Sequence, residues 1–150
     1  MSAGEQPNSE AVLVTEGPFA GWLSWGGASD PYESLTGPYF FKIEDGRMRC
    51  AFQPRRDHLN MSGAVHGGAL MTFADFALFA IAHNALRGGV KAVTLTCNSE
   101  FISAGDLGGL IEAEGEVLRD GKSLIFIRGL VTQRARPVLA FSGALKKIIS

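Results

Sequence analysis

The sequence predicts an α+β domain in which one long, buried helix lies against an antiparallel sheet of about six strands. Three observations predict it. A single helix-period stretch, from Gly67 to about Leu86, is apolar on nearly every side, the mark of a helix buried all round. Two strand-like runs precede it and four follow, the later ones alternating polar and apolar residues, as a sheet with one covered face does. Asp45-Gly46 and Asp120-Gly121 stand between consecutive runs, where Asp-Gly suits the positive φ angles of tight hairpins. A sheet that curls around one helix buries it on most sides, which is a stable layer solution.

Residues 1 to about 10 are polar and are expected to be loose. Residues 19–37 mix aromatics with Gly, Pro and Ser, so a short helix around Phe19–Trp25 is expected, followed by a turn-rich connection. Residues 1–35 therefore read as an N-terminal extension, and 36–150 as the folded domain. Pro38–Glu44 and Arg47–Pro54 form the first hairpin. In the helix, Leu70, Phe73, Ala74, Ala77, Leu78, Ile81 and Ala85 keep helical spacing, while Met71, Phe76 and Phe79 add apolar groups elsewhere. Gly88-Gly89 is expected to end it. In the strand Val93–Ile102, alternation assigns Thr94, Thr96, Asn98 and Glu100 to one face and Val93, Leu95, Cys97 and Phe101 to the other. Leu110–Leu118 sets Glu112, Glu114 and Glu116 against Ile111, Ala113 and Val117. Ser123–Thr132 and Arg136–Lys147 complete the sheet. A long exposed edge of such a sheet invites pairing with a second copy.

Bulk properties narrow the function. The chain has 150 residues, 46% hydrophobic and 19% charged, with a formal net charge of −1. That is one globular domain. No basic run suggests nucleic acid as a partner. Cys50 and Cys97 form no CxxC and read as free thiols. The first residues, MSAGEQPNSE, show no basic run followed by an apolar stretch, so no secretion signal is expected. The most apolar stretch, Ala69–Ala82, contains Asp75 and is too short to span a bilayer, so no membrane is expected and a cytoplasmic location is. HExxH, Cys/His quartets, GxSxG, Walker and dinucleotide patterns are missing from the sequence, so neither a metal nor a cofactor is expected.

A few residues can do chemistry. Asp75 sits in the middle of the most apolar helix, where an ionised carboxylate is costly without a partner. It is either a structural hydrogen-bonder facing a wet groove or a base or nucleophile in a cleft. His66-Gly67-Gly68 opens the same helix. Free N–H groups and the macrodipole make a helix start a candidate oxyanion hole, although a capped Gly-rich turn has the same composition. Asn60 and His58 in a loop, and Thr94 in a strand, are ordinary residues for such places.

Taken together, Asn60-x5-His66-Gly67-Gly68-x6-Asp75 resembles the signature of the hotdog-fold acyl-CoA thioesterases. It is most similar to the phenylacetate-degradation (PaaI-type) branch of the 4-hydroxybenzoyl-CoA thioesterase superfamily. HGGALMTFAD resembles that branch's helix opening, VTLTCNSEFISAG its third strand and VLRDGKSLIF its central hairpin. The likeness covers about residues 36–147. It implies an acyl-CoA substrate and a homodimer, or a dimer of dimers. It implies Asp75 as nucleophile or general base and the Gly67 N–H as the group that polarises the thioester carbonyl. Asn60 would orient water or thioester, His66 would support the carbonyl site, and Thr94 would hold water or the carboxylate. Gly68 would lie against the substrate. Met71-Thr72-Phe73 is bulkier than the branch's pattern and is expected to narrow the acyl pocket.

Spacing adds a constraint. Gly67 and Asp75 are eight residues apart on one helix, about 12 Å along its axis and about 80° around it. One reacting carbonyl needs both within contact distance, so a site shared by two chains is expected. Coenzyme A phosphates need cations, and Arg119, Lys122, Arg134 and Arg136 lie at turns between late strands. Phe73, Phe76, Phe79, Trp22 and Trp25 either line the acyl pocket or belong to the core. Two other readings stay open: an acyl-CoA-binding module without catalysis, and a hydratase or dehydratase.

Overall fold

The computed structural model of the chain describes residues 11–25 and 30–148. Eight strands among these residues form one antiparallel sheet. They are β1 (Val12–Leu13), β2 (Leu23–Ser24), β3 (Phe40–Glu44), β4 (Arg47–Phe52), β5 (Lys91–Phe101), β6 (Ile111–Asp120), β7 (Leu124–Gln133) and β8 (Arg136–Ile148). Their spatial order is β1-β2-β3-β4-β6-β7-β8-β5. Two helices accompany them, α1 (Pro31–Thr36) and α2 (Gly67–Ile81). The six long strands are those expected; β1 and β2 are two-residue additions at one edge. The arrangement is the α+β, helix-in-curled-sheet form of the hotdog fold.

Local chemistry explains the elements. Asp45 and Gly46 both take positive φ, 53° and 75°, and join β3 to β4 with Glu44 opposite Arg47. That is the two-residue turn the dipeptide favours. α2 lies against β4 to β8 and is buried through Leu70, Phe73, Ala74, Phe76, Ala77, Leu78 and Ala80. The sheet makes room for it with glycines. A Cβ on Gly143 would stand 2.7 Å from Leu78 Cδ1, and one on Gly115 would stand 2.8 Å from Ile81 Cδ1. Phe41, Phe52, Phe73, Leu78, Ile111, Ile125, Ile127, Leu139 and Leu145 fill the space between helix and sheet.

Three expectations are corrected. The short helix around Phe19–Trp25 is a hairpin instead. Gly17 and Gly21 take φ of 81° and 92°, which reverses the chain so that the Val14 N–H donates to the Trp22 carbonyl at 2.8 Å. The short helix comes later, as α1. Asp30 caps it by accepting from the Glu33 N–H at 3.0 Å, and Pro31 fits its first turn;. Second, α2 ends at Ile81, not near Leu86. A 3-10 turn, His83–Gly89, follows after a bend of 69°. The bend lets Ala85 and Leu86 pack on the core while the chain turns toward β5.

The third correction concerns β5. A bulge between Thr94 and Thr96 breaks the alternation. Thr94 pairs with Leu145, a core residue, whereas Thr96 and Asn98 pair with Ala144 and Ser142. Thr94 therefore faces α2 with Cys97 and does not share a face with Thr96, Asn98 and Glu100. Bulges re-aim side chains in this way.

The segment read as an extension is partly built into the sheet, with Leu23 of β2 opposite Phe41 of β3. Phe19 stacks on Phe40 at 3.9 Å and meets Trp22 edge-on at 5.6 Å. With Ala51 they form a second cluster, on the sheet face away from α2;. The loose stretch expected over residues 1 to about 10 lies outside the described residues. No single helix among the described residues is long and apolar enough to cross a membrane.

Candidate active site

The start of α2 leaves one backbone donor free. His66 is the N-cap, and its Nδ1 accepts from the Gly68 N–H at 2.8 Å. Its carbonyl accepts from Ala69 and Leu70 at 2.9 and 3.1 Å. Of the four N–H groups that any helix start must satisfy, that leaves Gly67, whose N–H has no acceptor among the described residues. A Cβ on Gly67 would stand 3.0 Å from Phe101 Cε1, so this end of the helix lies beside the far end of β5.

The loop before it is rigidly organised. Asn60 Oδ1 accepts from the Ser62 N–H (3.0 Å), the Ser62 hydroxyl (2.8 Å) and the Ala64 N–H (3.1 Å). The oxygen is fully engaged, which turns the amide N–H2 outward. His58 is buried and structural. Its Nδ1 accepts from the Arg55 N–H at 3.0 Å, so Nε2 carries the hydrogen and donates to the Thr36 carbonyl at 2.6 Å. Arg55 also donates to the Leu35 and Gly37 carbonyls, at 2.8 and 2.5 Å. The loop that leads to Gly67 is thus tied to the C-terminal end of α1.

Asp75 lies elsewhere on α2. It is half-buried and accepts from the Thr94 hydroxyl through Oδ1 at 2.6 Å. The bulge in β5 makes this contact. Asp75 opens onto a groove of about 980 Å³, with Gly68, Met71, Thr72, Phe76 and Phe79 along one side. Met71 and Thr72 line it, while Phe73 points into the core with 0% exposure. Of the aromatic candidates, Trp25, Phe76 and Phe79 line the groove; Trp22 is in the second cluster. Within one chain Thr94 meets Asp75, and Gly68 lines the same groove as Asp75. Asn60 and Gly67 are not among the residues that line it.

The four expected cations separate into two pairs. Arg134 and Arg136 sit at the β7–β8 turn and are engaged, Arg134 by Asp106 and Arg136 by the Ala104 carbonyl. Arg119 and Lys122 are at the β6–β7 turn, the sheet end that also carries Lys91, opposite Ile148, and Lys146, opposite Leu124. Neither lines the groove. Its cations are Arg87 and Lys91, which the sequence reading missed.

Also missed were two carboxyls on the opposite wall, Asp30 and Glu33. Burial, then the hydrogen bond and charge of Asp30, then the charge of Asp75, push the Glu33 carboxyl up to about 8. The signal was readable. Asp30-Pro31-Tyr32-Glu33 is an N-cap followed by Pro at the first helical position and Glu at the third. Among the described residues no His, Cys, Asp and Glu groups gather as a metal site.

β5 pairs with β8 along one edge, and its other edge is unpaired among the described residues. Val93, Leu95 and Phe101 are 47%, 56% and 56% exposed along it. Both site halves touch this strand, Asp75 through Thr94 and Gly67 through Phe101.

Comparison with known proteins gives a family match and close structural relatives. The family model described as the Thioesterase superfamily matches residues 62–140. Human acyl-coenzyme A thioesterase 13 is 29% identical over 98 residues, 65% of this chain and 69% of that protein. A Bacillus halodurans protein solved with CoA is 25% identical, superposes with a TM-score of 0.71 and covers 83% of each chain. A mutant of the phenylacetic acid degradation protein PaaI from Thermus thermophilus is 26% identical, with a TM-score of 0.68, covering 79% of this chain and 100% of the other.

Proposed function

The chain belongs to the thioesterase superfamily, and from that premise we propose that it hydrolyses an acyl-coenzyme A to the free acid and coenzyme A, at sites shared between two copies. The human relative's name and the CoA in the Bacillus protein support coenzyme A as the carrier.

The observation that carries the shared site is the pair of contacts at the two ends of the unpaired β5 edge. Thr94 holds Asp75, and Phe101 backs Gly67. Two β5 strands paired antiparallel about an axis near Cys97 and Asn98 would set Thr94 of one chain close to Phe101 of the other. Asp75 of one chain then faces Gly67 and Asn60 of the partner subunit, and a C2 dimer repeats the site twice. The pairing also covers the apolar residues that the edge otherwise exposes.

In that site the Gly67 N–H donates to the thioester oxygen, where negative charge develops, and the outward Asn60 amide is the second donor. His66 holds Gly68 and so leaves Gly67 as the free group. Thr94 occupies Asp75 Oδ1, leaving Oδ2 to work. As general base, Asp75 takes a proton from water while its oxygen adds to the carbonyl carbon. The tetrahedral intermediate collapses, the C–S bond breaks, and the leaving thiolate takes the proton back. Attack by Oδ2 itself would pass through an anhydride and end at the same products. Arg119 and Lys122, with Lys91 and Lys146, form the basic end of the sheet that would receive the phosphates.

Complementation tests the reading. Asp75→Ala and Asn60→Ala are each expected to be inactive. Unfolding and co-refolding them in equal amounts makes about half the dimers mixed by random pairing. Each mixed dimer has one site with both lesions and one with neither, so activity should return to about a quarter of wild type. No recovery, with mixed dimers confirmed by native mass spectrometry, rejects the shared site.

A further inference from the structure

The groove beside Asp75 does not end at α1. A smaller recess of about 250 Å³ continues behind it, lined by Ser24, Pro38 and Tyr39 among others. Trp25, Glu33 and Phe76 line both spaces, so Glu33 stands at the junction. The walls of the recess are rings: Trp25 is 5.3 Å edge-on from Phe76, and Tyr39 is 5.4 Å from Phe76. An apolar cavity of about 150 Å³ holds a benzene molecule, so this recess has room for the end of an acyl chain.

Charges of both signs line the groove. Arg87 and Lys91 line it from the 3-10 turn and β5, and Asp30 and Glu33 line it from α1. A polyanionic nucleotide is attracted to the first and repelled by the second, so the acyl tail is what reaches Glu33. Glu33 is held in place from several sides. Its helix is capped by Asp30 and linked to α2 by Tyr32 and Thr72, 3.3 Å between hydroxyl oxygens. Arg55 and His58 secure the C-terminal carbonyls. The titratable groups that act on Glu33 or feel its charge are Asp30 beside it at the start of α1, Tyr39 before β3 and Asp75 from α2. Glu33 lies outside the residues matched by the family model.

We infer that Glu33 sets the acyl-tail specificity of this enzyme: the recess takes a neutral tail carrying a hydroxyl, which bonds to the Glu33 carboxyl where recess and groove meet, beside Asp30, and rejects a tail ending in a carboxylate. The inference rests on the acyl-CoA reading above. A hydroxyl suits this carboxyl because it both donates and accepts, so it finds a partner whichever oxygen holds the proton. A carboxylate would add a third negative charge beside Asp30 and Asp75 in a partly buried space. Burial and the neighbouring charges of Asp30 and Asp75 favour the protonated form of Glu33, which presents both a donor and an acceptor.

The test uses hexanoyl-, octanoyl- and decanoyl-CoA, each unsubstituted, ω-hydroxylated and ω-carboxylated, with wild type, Glu33→Gln and Glu33→Leu. Both kcat/KM and the affinity of the matching non-hydrolysable thioethers are measured. At the length that reaches the recess, wild type should favour hydroxyl over carboxylate tails by at least about tenfold, the discrimination of one hydrogen bond or charge. Glu33→Leu should lose the hydroxyl preference and favour the unsubstituted tail. Glu33→Gln, also uncharged with a donor and an acceptor, should retain the hydroxyl preference and still discriminate against the carboxylate. Tail ratios unchanged in both variants, or an equal loss for every tail, would overturn the role of Glu33 while leaving hydrolysis in place. Hydrolysis of no member of the series would overturn the acyl-CoA reading; the thioether affinities report on Glu33 in either case. If Glu33→Leu does not fold, Glu33→Ala takes its place and is read through the same loss of hydroxyl preference.

Discussion

The two edges of the sheet have been finished in opposite ways. At one, β1 and β2 are two residues each, and the strand behind them is covered by the Phe19–Trp22–Phe40 cluster. Very short, covered strands offer no template for pairing. At the other, β5 runs for eleven residues with Val93, Leu95 and Phe101 exposed, and nothing among the described residues pairs beyond it. One edge is closed within the chain, and the other is open among the described residues. Thr94, the partner of Asp75, and Phe101, beside Gly67, both belong to the open edge. In the proposed dimer the open edge and the shared site are the same feature.

The largest effect expected from this contrast is chemical. Asp75→Asn keeps the shape of the side chain and the Thr94 contact but removes the base. Steady-state turnover of an acyl-CoA should fall at least about a hundredfold, the lower end of a general base's contribution, with the dimer intact by size-exclusion chromatography. Wild-type turnover in this variant would detach the chemistry from the open edge.

Next comes assembly. Val93→Lys with Leu95→Lys puts two charges on the open edge and should yield monomers by analytical ultracentrifugation, with activity lost in parallel. Phe19→Ala at the closed edge should instead cost about 3 kcal/mol, typical of a buried Phe, read from urea unfolding of the dimer, and leave assembly unchanged. Dimers from the double Lys variant would break the comparison.

The smallest effect belongs to α1, across the groove from β5. The folded-state value of Glu33 is raised from the usual 4.5 to about 8. Its contribution is fully present below pH 4.5 and is lost as pH rises through about 8, because the unfolded chain releases the proton first. Glu33→Gln cannot lose it. The thermal midpoint of the Gln variant should gain on wild type steadily between pH 4.5 and 8. A pH-independent gap would mean that Glu33 is not held protonated.

Much of this was legible residue by residue. The buried helix, the Asp45-Gly46 hairpin and four late strands follow from local periodicity and turn chemistry, which depend on neighbours a few positions away. Asp75 stood out because a carboxylate amid Phe73, Ala74, Phe76 and Ala77 is costly wherever the helix is placed. The Asp30-Pro31-x-Glu33 cap was equally local, but the aromatics before it suggested a helix six residues or more too early, where Gly17 and Gly21 in fact reverse the chain.

What local pattern could not reveal is which residues meet across the fold. Strict alternation put Thr94 on the face of Thr96, and a single bulge turned it to Asp75. Arg119 and Arg134 look alike in sequence, yet one ends a basic rim and the other is consumed by Asp106. Glu33 is an unremarkable helix residue until α2 sets Asp75 across the groove from it. In each case the deciding contact joins residues that are far apart in sequence. Its existence depends on how the sheet is registered and where the helix crosses it, and that is a property of the packed molecule.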